Sequence, residues 1–308
     1  MSRMFITGAT GFIGKHLLEK LKDSSHEVIL FSRNPQATTP WENINGSVED
    51  SDLAKKFPGN IDIVINLMGN KREAERFFPV NARGTENLVK AAKEHGVKRF
   101  FHLSSVGVYG IPWSGRPRIV DENIRPEPKN SYEKSKLKGE KALHHGQNDF
   151  LFPQTVILRP TNVFGEHNPE YPLLRMMRRI QQGKLLPLTP GAKVNFVYAG
   201  DVASAIMFFI DKPEHSGIYN AGDSMLLEYW LSHIANLLGK KPEIMKVPGF
   251  LISATAFFAG PYQPYLESLN NKVEFSGSRL SQLTGLEFRP LTGLVKLLEF
   301  YRNQKLIS

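Results

Sequence analysis

Short apolar runs alternate with amphipathic stretches through the first two-thirds of the chain. Met4–Thr7 predicts a strand, and Gly14–Lys22 a helix behind it. Glu27–Ser32 (EVILFS), Ile61–Leu67 (IDIVINL), Arg99–Ser104 (RFFHLS) and Thr155–Arg159 (TVILR) predict further strands. Their nearly unbroken apolar character suits strands covered on both faces. Ala82–His95 and Tyr132–Leu143 carry helical spacing between them. Strand–helix alternation of this kind predicts an α/β fold with a doubly wound parallel sheet. Beyond Pro160 the pattern loosens, and proline and glycine punctuate it heavily. Leu173–Gly183, Val202–Ile210, Glu228–Leu238 and Thr292–Asn303 predict helices there, and Asn195–Tyr198 a short strand. The expected organisation is a sheet domain over 1–160 and a smaller lobe over 161–308, with about 195–222 returning to the sheet core.

Composition narrows the class. The 308 residues are 41% hydrophobic and 22% charged, ordinary for a globular protein, and no repeat is visible. No apolar run approaches the roughly 20 residues of a membrane span. The N-terminus runs into a strand without a secretory pattern, and there is no cysteine, so a cytoplasmic setting is expected. The net charge of +9 attracts anions, but the basic residues are dispersed and lack interleaved aromatics, which argues against nucleic acid. The nine histidines form no ligand pattern, so no metal is expected.

Chemistry begins at TGATGFIG. Gly8, Gly11 and Gly14 lie between a strand and a helix, where a tight turn, close backbone approach to a pyrophosphate and a helix N-terminus are needed for a dinucleotide. The second strand ends LFSRNP. Ser32 stands where an acid selecting NAD would stand, and Arg33 follows it, a pair suited to the 2′-phosphate of NADP. NADP(H) is therefore expected over NAD(H). Tyr132 and Lys136 share a helix face, and a neighbouring ammonium lowers a tyrosine's pKa from its usual value near 10. Tyr301 and Lys305 repeat the spacing near the C-terminus, at an expected fraying surface end.

The chain resembles the extended short-chain dehydrogenases/reductases, the NAD-dependent epimerase/dehydratase-like group. TGATGFIG, NARGTENLVKAA, HLSSVGVYG, YEKSK, RPTNVFG, NFVYAGDVASAI and GIYNAGD match its signatures in family order. The resemblance implies a Rossmann-type fold with a C-terminal substrate-binding lobe. It implies that Gly8, Thr10, Gly11, Phe12, Ile13 and Gly14 hold the dinucleotide, and that Ser47–Val48 replaces the usual acid–hydrophobic pair at the adenine. Leu67, Met68 and Gly69 would cover the pyrophosphate and ribose, Asn81 would start a helix near the cofactor, and Pro160 and Val163 would lie along the nicotinamide. Ser105, Tyr132 and Lys136 would be catalytic, with Lys136 also on the nicotinamide ribose. Ser104 is the fallback serine, and Tyr109, Asn162, Arg175, Lys193 and Arg279 are substrate candidates.

Epimerisation, dehydration and reduction of sugar nucleotides, and reduction of small ketones, are the implied chemistries. Val106, Gly107 and Val108 follow Ser105 where a dehydratase carries an acidic pair, which disfavours dehydration. The usual diphosphate-clamping arginine is replaced by Val194 beside Lys193. The preferred reading is an NADP-dependent reductase or epimerase acting at C4 of a nucleotide sugar. Reduction of a small ketone or aldehyde, and a non-catalytic NADP-binding scaffold or redox sensor, stay open. A kinase is disfavoured for want of G-x-x-x-x-G-K-[ST]. A homodimer through Ala82–His95 and Tyr132–Leu143 is a further expectation, and the apolar segment 247–266 reads as core, a substrate lip, or a lipid- or partner-facing patch.

Overall fold

The computed structural model describes residues 1–34, 40–111, 117–146, 149–168, 172–257, 268–288 and 290–307. It divides into two compact units. The first comprises Met1–Gly110, Arg125–Pro160 and Gly200–Asn220, and the second Ile111–Ile124, Thr161–Ala199 and Ala221–Ser308.

The first unit is built on a seven-stranded sheet. Its strands include β1 (Arg3–Thr7), β2 (Glu27–Ser32), β3 (Glu42–Asn45), β4 (Ile63–Asn66) and β5 (Arg99–Leu103). The order across the sheet is Gly217–Ala221, Gln154–Pro160, β5, β4, β1, β2, β3, and the six strands from Gln154–Pro160 to β3 pair in parallel. Thr7 lies opposite Phe31 on one side and Asn66 on the other, so β1, β2 and β4 end at one level. The order reverses on either side of β1, which puts the topological switch point where the glycine loop leaves the sheet. The apolar runs of the sequence become buried strands, with all seven residues of Gln154–Pro160 inaccessible. Phe5, buried completely, packs its ring 5.3 Å from Phe31 and 4.7 Å from Phe57. Burial of a ring of this size contributes about 2–3 kcal/mol.

Three helices matter for the site: α1 (Phe12–Leu21), α3 (Gly84–Glu94) and α4 (Ser131–Lys141); α2 is the single turn Leu53–Lys56. The helix expected from Ala82 is preceded by a π-helical stretch, Phe77–Arg83, that runs directly into α3. α4 packs closely on it: a Cβ at Gly139 would stand 2.5 Å from Asn81 O.

The second unit has a three-stranded sheet ordered Asp223–Leu226, Lys193–Tyr198, Asn162–Phe164, and two short parallel ladders. Its core centres on the fully buried Trp230, stacked 5.0 Å from Phe196 and edge-on to Phe164. Tyr301 corrects the sequence reading. The helix Pro290–Asn303 carries Leu294, Leu297, Leu298 and Tyr301 into this core, leaving Tyr301 only 1% exposed, so it is a packing residue and no surface end. Of the apolar segment 247–266, Gly249–Phe257 forms a helix with Phe250 exposed, and 258–266 lies outside the described residues. Among the described residues no helix is long and apolar enough to cross a membrane.

Candidate active site

The glycine loop has the geometry its composition predicts. Gly8 sits at φ +75°, where a Cβ would come 2.7 Å from Met68 N. Gly11 closes the turn onto Gly8 O at 3.0 Å and caps α1. A Cβ at Gly14 would strike Ala9 O and approach Gly8 O at 2.5 Å, so this glycine lets the helix sit against the loop. The bare backbone and the open first turn of α1 suit an anionic ligand.

A cleft of about 250 Å³ opens beside the loop. Gly8, Thr10, Gly11, Ser32, Arg33, Val48, Leu67, Met68 and Gly69 line it, so nine predicted cofactor residues meet there. Ser32 Oγ is enclosed and has no hydrogen-bond partner among the described residues. An orphaned hydroxyl and a cradle that a single Cβ would fill are what a dinucleotide site requires, so the residues fit that cofactor. Phe12, Ile13 and Gly14 are not part of this lining. Sequence reasoning missed Arg76 and Glu49, which also line it and pair at 2.6 Å. Arg76 was hidden in the charged run KREAER, which carries no periodicity.

Lys136 and Tyr132 lie on α4, whose start is fixed by a capping box. Asn130 Oδ1 accepts from Glu133 N at 2.9 Å, and Glu133 Oε2 accepts from Asn130 N at 3.1 Å. Lys136 is buried and donates to Leu103 O, at the end of β5, at 2.6 Å. Burial pushes its pKa down to about 8, while Glu140 acts to raise it. A Cβ at Gly69 would lie 3.8 Å from Lys136 Nζ and 3.7 Å from Asn81 Oδ1, which ties both side chains to the cleft wall. Tyr132 is half-buried, its ring edge-on to Phe77 at 5.6 Å. Ser105 directly follows β5–Ser104 and caps the turn Val106–Tyr109, its Oγ accepting from Gly107 N at 3.1 Å. A Cβ at Gly107 would meet Ser105 Oγ at 3.3 Å and Tyr132 Cε1 at 3.9 Å, so serine and tyrosine converge on one glycine.

Two buried polar networks hold these groups. In the first, Asn66 accepts from Thr7 Oγ1 and Met68 N, donates to Thr85 Oγ1 and contacts His102 Nδ1 at 3.1 Å. Asn81 joins Asn70 and Ser135, linking the cleft wall to α4. Burial, and then the charge on Lys136, push the His102 pKa well below its usual value, so the imidazole is neutral. In the second, Arg159 donates to both Glu140 oxygens, at 2.9 and 2.6 Å, and to Tyr109 Oη at 3.0 Å. Tyr109 donates to Asn220 Oδ1 at 2.9 Å, and Ser104 donates to Glu140 Oε1. Burial acts against the Arg159 charge, but the attraction of Glu140 outweighs it and holds the pKa above its usual value.

This second network takes up two of the expected substrate residues. Ser104 and Tyr109, expected at the substrate, have both hydroxyls buried and bonded within the Glu140–Arg159 network. The ammonium of Lys193 is paired with Glu274. Pro160 is buried at the end of its strand. In the second unit Asn162, Arg175 and Arg279 are exposed and Val163 is half-buried.

Comparison with known proteins shows the family and the fold. The profile of the NAD dependent epimerase/dehydratase family matches residues 4–222. The chain is 29% identical over 244 residues to a dTDP-D-glucose 4,6-dehydratase of Mus musculus, covering 71% of this chain and 68% of that protein. It is 27% identical over 255 residues to the N-acetyl-alpha-D-glucosaminyl-diphospho-ditrans,octacis-undecaprenol 4-epimerase of Escherichia coli O157:H7, covering 80% and 75%. In fold it is similar to MoeE5 in complex with UDP-glucuronic acid and NAD, with a TM-score of 0.74 at 21% identity over 98% of this chain and 99% of the other. Glycine cradle, cleft and the Ser105–Tyr132–Lys136 cluster thus stand in a chain that belongs to the NAD dependent epimerase/dehydratase family.

Proposed function

We propose that this protein transfers hydride with NADP(H) at C4 of a sugar carried on a diphosphate, as a reductase or epimerase. The observation that carries this reading is the buried Lys136 one turn beyond Tyr132, with Ser105 converging on the same glycine. The nicotinamide, when bound, supplies the hydride donor or acceptor. Ser105 Oγ orients the substrate oxygen by hydrogen bonding. Tyr132 Oη takes the hydroxyl proton when an alcohol is oxidised and returns one to that oxygen when a carbonyl is reduced. The ammonium of Lys136 favours the phenolate during the first of these. Related proteins named for dTDP-glucose and for a diphospho-undecaprenol sugar support a glycosyl diphosphate. The run Val106–Val108 lacks the acidic pair of a dehydratase, which supports epimerisation or net reduction.

Ser32 and Arg33 support NADP(H) over the NAD seen with MoeE5. NADPH should bind about tenfold or more tightly than NADH, the worth of one charge-assisted contact. Equal or reversed affinities overturn that part. Tyr132→Phe should lower turnover about 10²-fold or more, while NADPH affinity changes little. Unchanged turnover in that variant would refute an enzymatic role for the cluster.

One observation favours a second reading, reduction of a small non-nucleotide carbonyl: Glu274 neutralises Lys193. Thermal shifts of the NADPH-loaded protein with UDP, GDP, dTDP and CDP separate the two. Stabilisation by one of them supports the diphosphate, and no stabilisation by any supports the small carbonyl.

A further inference from the structure

The cleft carries a second guanidinium beyond the end of β2. Arg76 closes the turn Ala74–Arg76 and faces the same cleft as Ser32, Arg33 and Ser47. We propose that Arg76 is a specificity-determining residue that, with Arg33 and Ser32, binds the phosphate on the adenosine ribose. The proposal rests on the NADP(H) reading above.

Glu49 is the reason Arg76 matters. Its carboxylate lines the cleft and, left bare, would repel a phosphate dianion or hold the ribose hydroxyls of NAD. Instead Arg76 Nη2 donates to Glu49 Oε2 at 2.6 Å, cancelling that charge. Ser47 Oγ also donates to this oxygen, at 3.4 Å, and accepts from Glu49 N, so the acid is turned back on its own loop. A guanidinium has five N–H groups, and Glu49 takes one. Glu73, half-exposed, makes a second, solvent-screened ion pair 3.7 Å from Nη1 without a hydrogen bond. Donors thus remain for a phosphate in the cleft that Ser32, with its orphaned hydroxyl, also lines. Arg76 thus silences the acid that would select the other cofactor and keeps N–H donors beyond the one that Glu49 takes.

Calorimetric titration of the full chain with 2′,5′-ADP and 5′-AMP tests this without any turnover. Arg76→Ala should weaken 2′,5′-ADP about tenfold or more and leave 5′-AMP within about twofold. Arg76→Lys should lose less, since it keeps the charge without the fork. Adding Glu49→Gln to Arg76→Ala should recover part of the loss. Equal weakening of both nucleotides would show a merely structural role and overturn the proposal. So would loss of 5′-AMP binding in Glu49→Gln, which would make Glu49 the ribose acid of an NAD site. If the wild type prefers 2′,5′-ADP and only Arg33→Ala reduces that preference, the proposal fails while the NADP(H) reading stands. If the wild type shows no preference, both fall.

Discussion

Lys136 is the residue whose chemistry the fold alters most. Its folded pKa of about 8 lies below the 10.5 of a free lysine, because burial disfavours the ammonium. Between those values the unfolded chain binds the extra proton, so the contribution of Lys136 to stability is lowest below pH 8 and rises as pH climbs toward 10.5. Urea unfolding should show the wild type gaining about 2–3 kcal/mol relative to Lys136→Met between pH 7.5 and 10. A difference that stays flat would refute the shift. Tyr132 and Lys136, proposed as catalytic, were legible in the sequence because a four-residue spacing fixes two side chains on one helix face whatever surrounds them. Their supports were not. Asn66, His102 and Arg159 sit inside the runs IDIVINL, RFFHLS and TVILRP, where period and hydropathy announce a strand and say nothing of a polar side chain's partner. The bonding of Ser104 and Tyr109 to the Glu140–Arg159 pair was hidden for that reason. Tyr301 shows the reverse error, since motif spacing without burial cannot separate a core ring from a surface one.

At the scale of the element, α4 is the part on which the site depends. Its capping box and its close seat on the π-helix set where Tyr132 begins the first turn. Asn130→Ala removes one half of the box and should cost about 1 kcal/mol. Because the frayed turn carries Tyr132, turnover should fall by more than the loss of folded protein explains, which paired thermal melts and rate measurements would reveal. Gly139→Ala should be worse, because its Cβ would press on Asn81 O. The variant should melt well below wild type and lose cofactor affinity with it, since Asn81 cannot stay in place. Wild-type melting of Gly139→Ala would mean that the two helices part freely. The positions of these helices were readable from periodicity, but the π-helical stretch Phe77–Arg83 was not, since an added residue per turn breaks the 3.6 pattern by which helices are recognised.

At the scale of the whole molecule, the Glu140–Arg159 pair joins α4 to the strand Gln154–Pro160 deep in the first unit, each side chain 3% exposed. Arg159→Met alone would leave a buried carboxylate without its cation and should destabilise the protein by about 3–5 kcal/mol. Glu140→Leu combined with Arg159→Met should restore part of that loss in chemical denaturation. An additive double variant would show that the pair is not coupled. The alternation of strand and helix made the parallel sheet legible from the sequence. The membership of Ile111–Ile124 in the second unit was not, because one three-residue strand pairing with Val273–Phe275 is too short to leave a periodic trace. The sheet has a further property, and it concerns time. Its outermost strand on one side, Gly217–Ala221, pairs with Gln154–Pro160 but is made much later by the ribosome. Until it emerges, the nascent chain presents QTVILRP, a strand buried along its whole length in the finished fold, as an open edge, the kind of surface on which chains join one another. The glycine loop and the tyrosine–lysine pair are all synthesised by then, yet a chain ending at Lys212 should collect in the insoluble fraction. The last strand to arrive is what makes the first ones safe.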